Sequence, residues 1–408
     1  MAPFTVTRLA YCAVFALAGC HALKGPSVGP TVAGPQLPVT QRTAITPDVS
    51  AVSTESAPPI QRPGEYRQLT SADCQRLAIA SAPFADDLDR HSENEAPSHP
   101  KLMKKAAKFA EVSCLVRGHA ADELRNRAAA EALEEFFKLA EAEGQFDLLS
   151  AAGAELRTQL ADAEQAEKVG LKDRADMPAL RRKLLDIEAQ QSKLEAGAGA
   201  LNASLRARLG LNANDPLPLW PTDPLKVKPD DVDVSLAVTT GLHYRPDLNA
   251  LRVLTGHGGA GDMTNAVLTG INPLLANLKP DNPLVQLFSP FAKEPAHQRA
   301  AVATRVAGVL AARERQAEAE IRATATLLRG YRSAVAARAL DVRAVEARIV
   351  ELQKKQAAGV NVAADLVTAK LDLFKARGDL LSSAIEWHQA EVKLRQAMGL
   401  LVREQGRY

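Results

Sequence analysis

The sequence predicts an all-α protein: long antiparallel coiled-coil hairpins in two pseudo-repeats. Three observations carry that expectation. Aromatic residues make up only 4% of the 408 residues, while Ala, Leu, Arg and Glu dominate, a composition that favours helix over sheet. Helical patterning persists from about Lys101 to Lys168 and from about Pro295 to Ala357; at 1.5 Å per residue, about 60 such residues make a rod of about 90 Å. Finally, VGLKDRADMPAL (169–180) has a gapless copy, AGVNVAADLVTA, beginning at Ala358.

The first elements decide where the chain works. Residues 1–19 read as a signal peptide: Arg8 precedes a short apolar run, and Leu17-Ala18-Gly19-Cys20 resembles a bacterial lipobox. The run is shorter than the roughly 20 residues of a membrane-spanning helix. A lipobox implies lipid attachment at Cys20. Residues 20–68 are rich in Pro, Gly, Ser, Thr and Val without periodicity and predict a disordered tether. Cys74 and Cys114 then remain, either as one disulfide in an oxidising compartment or as two buried thiols; spacing leaves both open.

The folded body divides at about residue 233, with a first helical hairpin repeat and linker over 69–233 and a second over 234–408. Helix is expected over about 71–85, 101–168, 177–209, 234–254, 295–357 and 365–398. The helix after each copied turn carries a heptad seam: Met177, Leu180, Leu184, Ile187, Leu194, Leu201 and Leu205 in the first, and Leu366, Ala369, Leu373, Ala376, Leu380, Trp387, Ala390 and Leu394 in the second. Such a seam needs a partner, most simply the helix just before the turn. At an offset of 189 residues, Gly170 falls on Gly359, Asp176 on Asp365, Arg206 on Arg395 and Gly210 on Gly399. Glycine suits a left-handed helix end, and an aspartate at the next helix start caps it and complements its dipole. Shared coiled-coil composition imitates leucines more easily than glycines and aspartates in register.

RLGLNANDPLPLWP, followed by VSLAVTTGLHYRPDLNALRVL, resembles the link between the two halves of TolC-like outer-membrane efflux factors, with Arg245, Pro246, Asp247 and Leu248 as the inter-repeat motif. The resemblance covers most of residues 69–401. It implies a homotrimer closing a twelve-helix tunnel, with hairpin tips reaching into the periplasm toward an adaptor protein and an inner-membrane transporter. Gly170, Leu171, Asp176, Gly359, Val360 and Asp365 would then lie at the docking tips. It implies the outer membrane as location with the body on the periplasmic side, while the anchor at Cys20 is read from the lipobox; His21, standing where an aspartate is associated with inner-membrane retention, favours the outer membrane for that lipid without deciding it. One departure stands out. The family inserts two transmembrane strands into each half, but residues 88–100 are too short and polar for two strands, and residues 255–291 show little alternation. An α-barrel protomer without a β-barrel is therefore expected, and a non-conducting coiled-coil scaffold of the cell envelope is the competing reading.

Other function classes find little support. A formal net charge of +2 with interspersed signs gives no electrostatic case for nucleic-acid binding. Gly256, Gly258 and Gly261 spell GxGxxG without a preceding strand. His91, Glu93, Glu95 and His99 match no standard metal spacing. No enzyme activity, cofactor or metal is expected.

Overall fold

The structure, a computed structural model, describes residues 37–41, 47–48, 65–93, 103–168, 177–229, 231–257 and 299–403. Among the described residues each half repeats one order of helices, two short and two long. The first half has α1 (Ser71–Ala80), α2 (Ala85–Glu93), α3 (Met103–Lys168) and α4 (Met177–Arg208). The second has α5 (Val234–Tyr244), α6 (Pro246–His257), α7 (Arg299–Ala357) and α8 (Ala363–Ala397). At 66 residues, α3 is about 100 Å long at 1.5 Å per residue.

The four long helices lie side by side in the order α4, α3, α8, α7. Two apolar faces on α8 explain that order. Ala376, Leu380, Ala384, Trp387, Ala390 and Leu394 join one buried cluster with Ile321, Ala325, Leu328, Val335, Ala339 and Val342 of α7. Leu381, Ile385 and Val392, on another flank of α8, join a second cluster with Leu133, Phe136, Phe137 and Ala140 of α3 and Ala198 and Leu205 of α4. The heptad seam read in the second copy is therefore the α7/α8 seam, and both inner helices bury two stripes. Ion pairs such as Arg157–Glu188 and Arg181–Glu164 flank the α3/α4 seam. At that seam a Cβ built on Gly153 would touch Ile187 and Leu184, two of the predicted seam residues.

Both halves end their last helix alike. Gly210 and Gly399 have φ of +63° and +71°. Leu211 N–H donates to Arg206 O and Leu400 N–H to Arg395 O, each at 3.0 Å, the bond that closes a Schellman motif. Each glycine then meets the corner between its half's two short helices. A Cβ on Gly210 would lie 2.6 Å from Ser81 Oγ, and one on Gly399 would lie 2.9 Å from Arg245 Cα. The repeat is thus a repeat of docking as well as of sequence.

Four expectations need correction. The 20–68 tether is not wholly unpaired: β1 (Val39–Gln41) pairs antiparallel with β3 (Glu65–Leu69), and β2 (Pro47–Asp48) pairs parallel with β5 (Leu225–Lys226). Strand β3 also pairs in parallel with β4 (Leu219–Pro221), so the linker between the halves supplies the template. Leu37 is buried beside the strands, and Arg67 donates to its carbonyl at 3.1 Å, which anchors a segment with little hydrophobic content of its own. Second, the helix expected over about 71–85 ends at Ala80, and a separate helix covers Ala85–Glu93. Third, the expected helix over 234–254 breaks at Arg245-Pro246. Fourth, Cys74 and Cys114 are both free, one buried and one exposed. Cys74 sits within electrostatic reach of Glu135 on α3; Cys114 is 21 residues earlier on that helix, about 30 Å away at 1.5 Å per residue and far beyond disulfide reach.

Beside the α3/α8 seam, His388 stacks on Phe137 with ring centroids 4.9 Å apart and meets Trp387 edge-on. Its Nε2 is buried without a hydrogen-bond partner. Burial is the main reason its pKa falls to about 4, with Lys228 adding to the effect and Glu391 opposing it. A depressed histidine resists protonation when folded, so the stability it confers is present above the unfolded pKa of 6.5 and is lost as pH falls toward 4. The loss amounts to about 1.4 kcal/mol per pH unit within that window. His388→Phe should therefore flatten the decline in denaturation midpoint between pH 6.5 and 4.5, and an unchanged slope would exclude this role.

Candidate functional site

The α7/α8 tip is built by local backbone chemistry. After α7 ends at Ala357, Gly359 takes φ +83°, and Val360 N–H donates to Lys355 O at 3.0 Å, a third Schellman closure. Val362 then starts α8, packing into a small cluster with Leu352 and Ala369. Asp365 does not cap this helix as expected. It is the third residue of α8, the N-cap is Val362 and makes no side-chain cap bond, so Asp365 acts only on the helix dipole. Val360 is 51% exposed at the apex, with Lys354, Lys355 and Asn361 also exposed around it. The result is one large apolar side chain, among small alanines, on an otherwise polar tip. Gly170, Leu171 and Asp176 of the first tip lie outside the described residues, as do Cys20, Glu95, His99, Gly258 and Gly261. His91 and Glu93 fall in the last turn of α2, and Gly256 falls in α6.

Far from the tips, the Arg245–Leu248 motif makes a corner. Arg245 has ψ 123°, as a residue before proline must, and Pro246 opens α6 where its missing N–H costs nothing. Arg245 Nε and Nη2 each donate to Asp247 at 3.0 Å, a bidentate pair. Arg245 Nη1 reaches Glu320 at 2.7 Å, and Arg313 Nε donates to Asp247 at 2.8 Å. Leu248 is fully buried behind them. Burial opposes the charge on Asp247, but the bonds and charges of Arg245 and Arg313 outweigh it and hold the carboxyl below its usual range. Glu123 of α3 lies beside this network; burial and then the negative Asp247 push its pKa up to about 8. Sequence reading found Arg245 and Asp247 but missed Arg313 and Glu320. Their spacing of seven residues on α7, which puts both on one helix face, was the available signal.

The arrangement therefore separates into an exposed tip suited to contact and a buried junction suited to rigidity. No family model matches the sequence, and no curated protein matches it. Solved structures do. The chain superposes on the CmeC outer membrane channel of Campylobacter jejuni with a TM-score of 0.55 at 12% identity, covering 81% of this chain and 84% of that one. It matches the open state of the MtrE outer membrane channel of Neisseria gonorrhoeae at 0.55 and 13% identity, covering 88% and 98%. A membrane protein from Pseudomonas aeruginosa gives 0.58 at 11% identity, covering 90% and 96%.

The chain has the TolC-like fold of outer-membrane efflux channels. Only residues 94–102 separate α2 from α3, fewer than the roughly 20 that two membrane strands require. Among the described residues the strands are short and form no closed barrel, and no helix is long and apolar enough to cross a membrane.

Proposed function

We propose that this protein is the periplasmic duct component of a tripartite export pump. Three copies close a helical tunnel, the tips at Gly359–Val360 and at Gly170–Leu171 dock a periplasmic adaptor that joins them to an inner-membrane transporter, and lipid on Cys20 holds the assembly at the outer membrane. One observation carries the proposal. The long helices form an open row whose two outer members, α4 and α7, each pack against one long helix only, α3 and α8 respectively, as pieces of a larger ring would. The similarity to outer-membrane channels supports the same reading.

A scaffold without conduction is the second reading, favoured by the short connection between α2 and α3. The two readings differ at the tips. A photo-crosslinking amino acid at Val360, and separately at Leu171, should capture a periplasmic adaptor in living cells at both sites. Capture of only the protein itself or cell-wall components would reject the duct and leave the scaffold.

A further inference from the structure

The free flanks of α4 and α7 carry a pattern that the protomer does not use. On α4, Leu185, Ala189, Ser192, Ala196, Gly199 and Ala203 follow alternating spacings of four and three, and all are exposed. On α7, Ser333, Ala336, Leu340, Arg343, Ala347 and Val350 do the same, also all exposed. These are second heptad stripes, distinct from the seams facing α3 and α8. Leu185, Leu340 and Val350 are 64%, 62% and 49% exposed, among the most exposed large apolar side chains of the protein. A Cβ on Gly199 would meet nothing within 4 Å, so no contact within the chain calls for glycine in mid-helix.

Hydrogen bonds and ion pairs fix the relative levels of the four helices. Gln191 donates to Ser150 at 2.9 Å, setting α4 against α3. Gln145 donates to Gly378 O and Ser382 Oγ, and Lys370 to Glu155, setting α3 against α8. The Arg377–Glu346, Arg338–Asp379 and Arg348–Asp372 pairs set α8 against α7. Carried across these links, Ala196 is level with Gln145, then with the stretch between Gly378 and Ser382, then with Leu340. Leu185 is likewise level with Glu155, Lys370 and Val350. Because α4 and α7 run in opposite directions, the remaining stripe residues fall into step: Ala189 with Ala347, Ser192 with Arg343, Gly199 with Ala336, and Ala203 with Ser333.

We infer that these stripes form the seam between copies, with Leu340 of one copy seated on Ala196 and Gly199 of the next, and Val350 on Leu185. The inference rests on the ring of copies proposed above and names its contact. Rotation about an axis parallel to the helices carries each residue to the same level in the next copy, so level residues on the two free edges meet. The sizes then complement each other. The large Leu340 faces the small-residue stretch of α4, and the two bulky residues at the other level pack as an ordinary apolar pair.

Cysteine pairs in the full-length chain, with exposed Cys114 replaced by Ser, test the register. Oxidation of Ala196→Cys with Leu340→Cys, and of Leu185→Cys with Val350→Cys, should give covalent trimers on non-reducing gels, at least tenfold above any single variant. Ala196→Cys with Val350→Cys, offset by ten residues or about 15 Å, should not. The mass of the uncrosslinked protein is measured alongside. A trimer in which the matched pairs fail, or the offset pair succeeds, overturns the register and leaves the ring intact. A monomer with no crosslinking overturns both.

Discussion

Asp247→Ala should lower stability by about 3–5 kcal/mol, the cost of removing one partner from a buried ion pair. Asp247 is 1% exposed and accepts from both Arg245 and Arg313, so truncation leaves two guanidinium groups facing a space with no carboxylate. Glu320 compensates only in part, since it already bonds Arg245 and is itself more exposed. The damage should spread beyond the corner, because the C-terminal end of α8 rests there: Arg245 Nη1 also donates to Ala397 O at 3.3 Å. Denaturant midpoints measured near neutral pH should therefore drop sharply for Asp247→Ala. Replacing both members, Arg245→Met with Asp247→Leu, should recover much of the loss, since a well-packed apolar pair can match a buried ion pair. A single variant within about 1 kcal/mol of the original would mean that the network does not hold the two halves' corner in place.

How much of this was legible in the sequence follows from which signals are local. Long helices, the turn at Gly359 and the glycine ends at Gly210 and Gly399 depend on spacing and on one residue's backbone freedom, so they could be read directly. The break at Arg245-Pro246 was also local, but the apolar pattern continues through it from Val234 to Leu254 and hid the corner. The pairing of residues 39–41 and 47–48 with distant strands was not legible, because such short segments gain stability only from partners far along the chain. The fate of Cys74 and Cys114 depended on which part of α3 receives α1, a tertiary fact with no signature in spacing. The two faces of α8 were half visible. Its Leu380–Trp387–Leu394 stripe stood out as a heptad, whereas the Leu381–Ile385–Val392 stripe against α3 was masked by intervening polar residues such as Ser382 and His388. Arg313 and Glu320 were invisible for a similar reason, being two charges among many on a long charged helix.

The glycine at each helix end should separate backbone strain from steric blockage. Three positions share a left-handed backbone, with φ of +63° at Gly210, +83° at Gly359 and +71° at Gly399, yet their surroundings differ. At Gly359 a Cβ would meet nothing within 4 Å, so Gly359→Ala should cost only the backbone term, about 1–2 kcal/mol. At Gly210 the obstacle is the Ser81 hydroxyl at 2.6 Å, which rotates away at little expense, so Gly210→Ala should cost slightly more. At Gly399 the obstacles are Arg245 Cα, Pro246 Cδ and Tyr244 O, all at 2.9 Å and all fixed by the corner's backbone and proline ring. Gly399→Ala must push the end of α8 off the α5–α6 corner, adding the strain of an overpacked contact, about 1–3 kcal/mol, to the backbone cost. The expected order of denaturation midpoints is therefore Gly359→Ala highest, Gly210→Ala next and Gly399→Ala lowest. Equal losses at all three would show that conformation alone selects glycine in the repeat. The predicted spread would instead show that conformation selects glycine at all three ends, and that at Gly399 the close approach of α8 to the backbone of the α5–α6 corner adds a second demand for it.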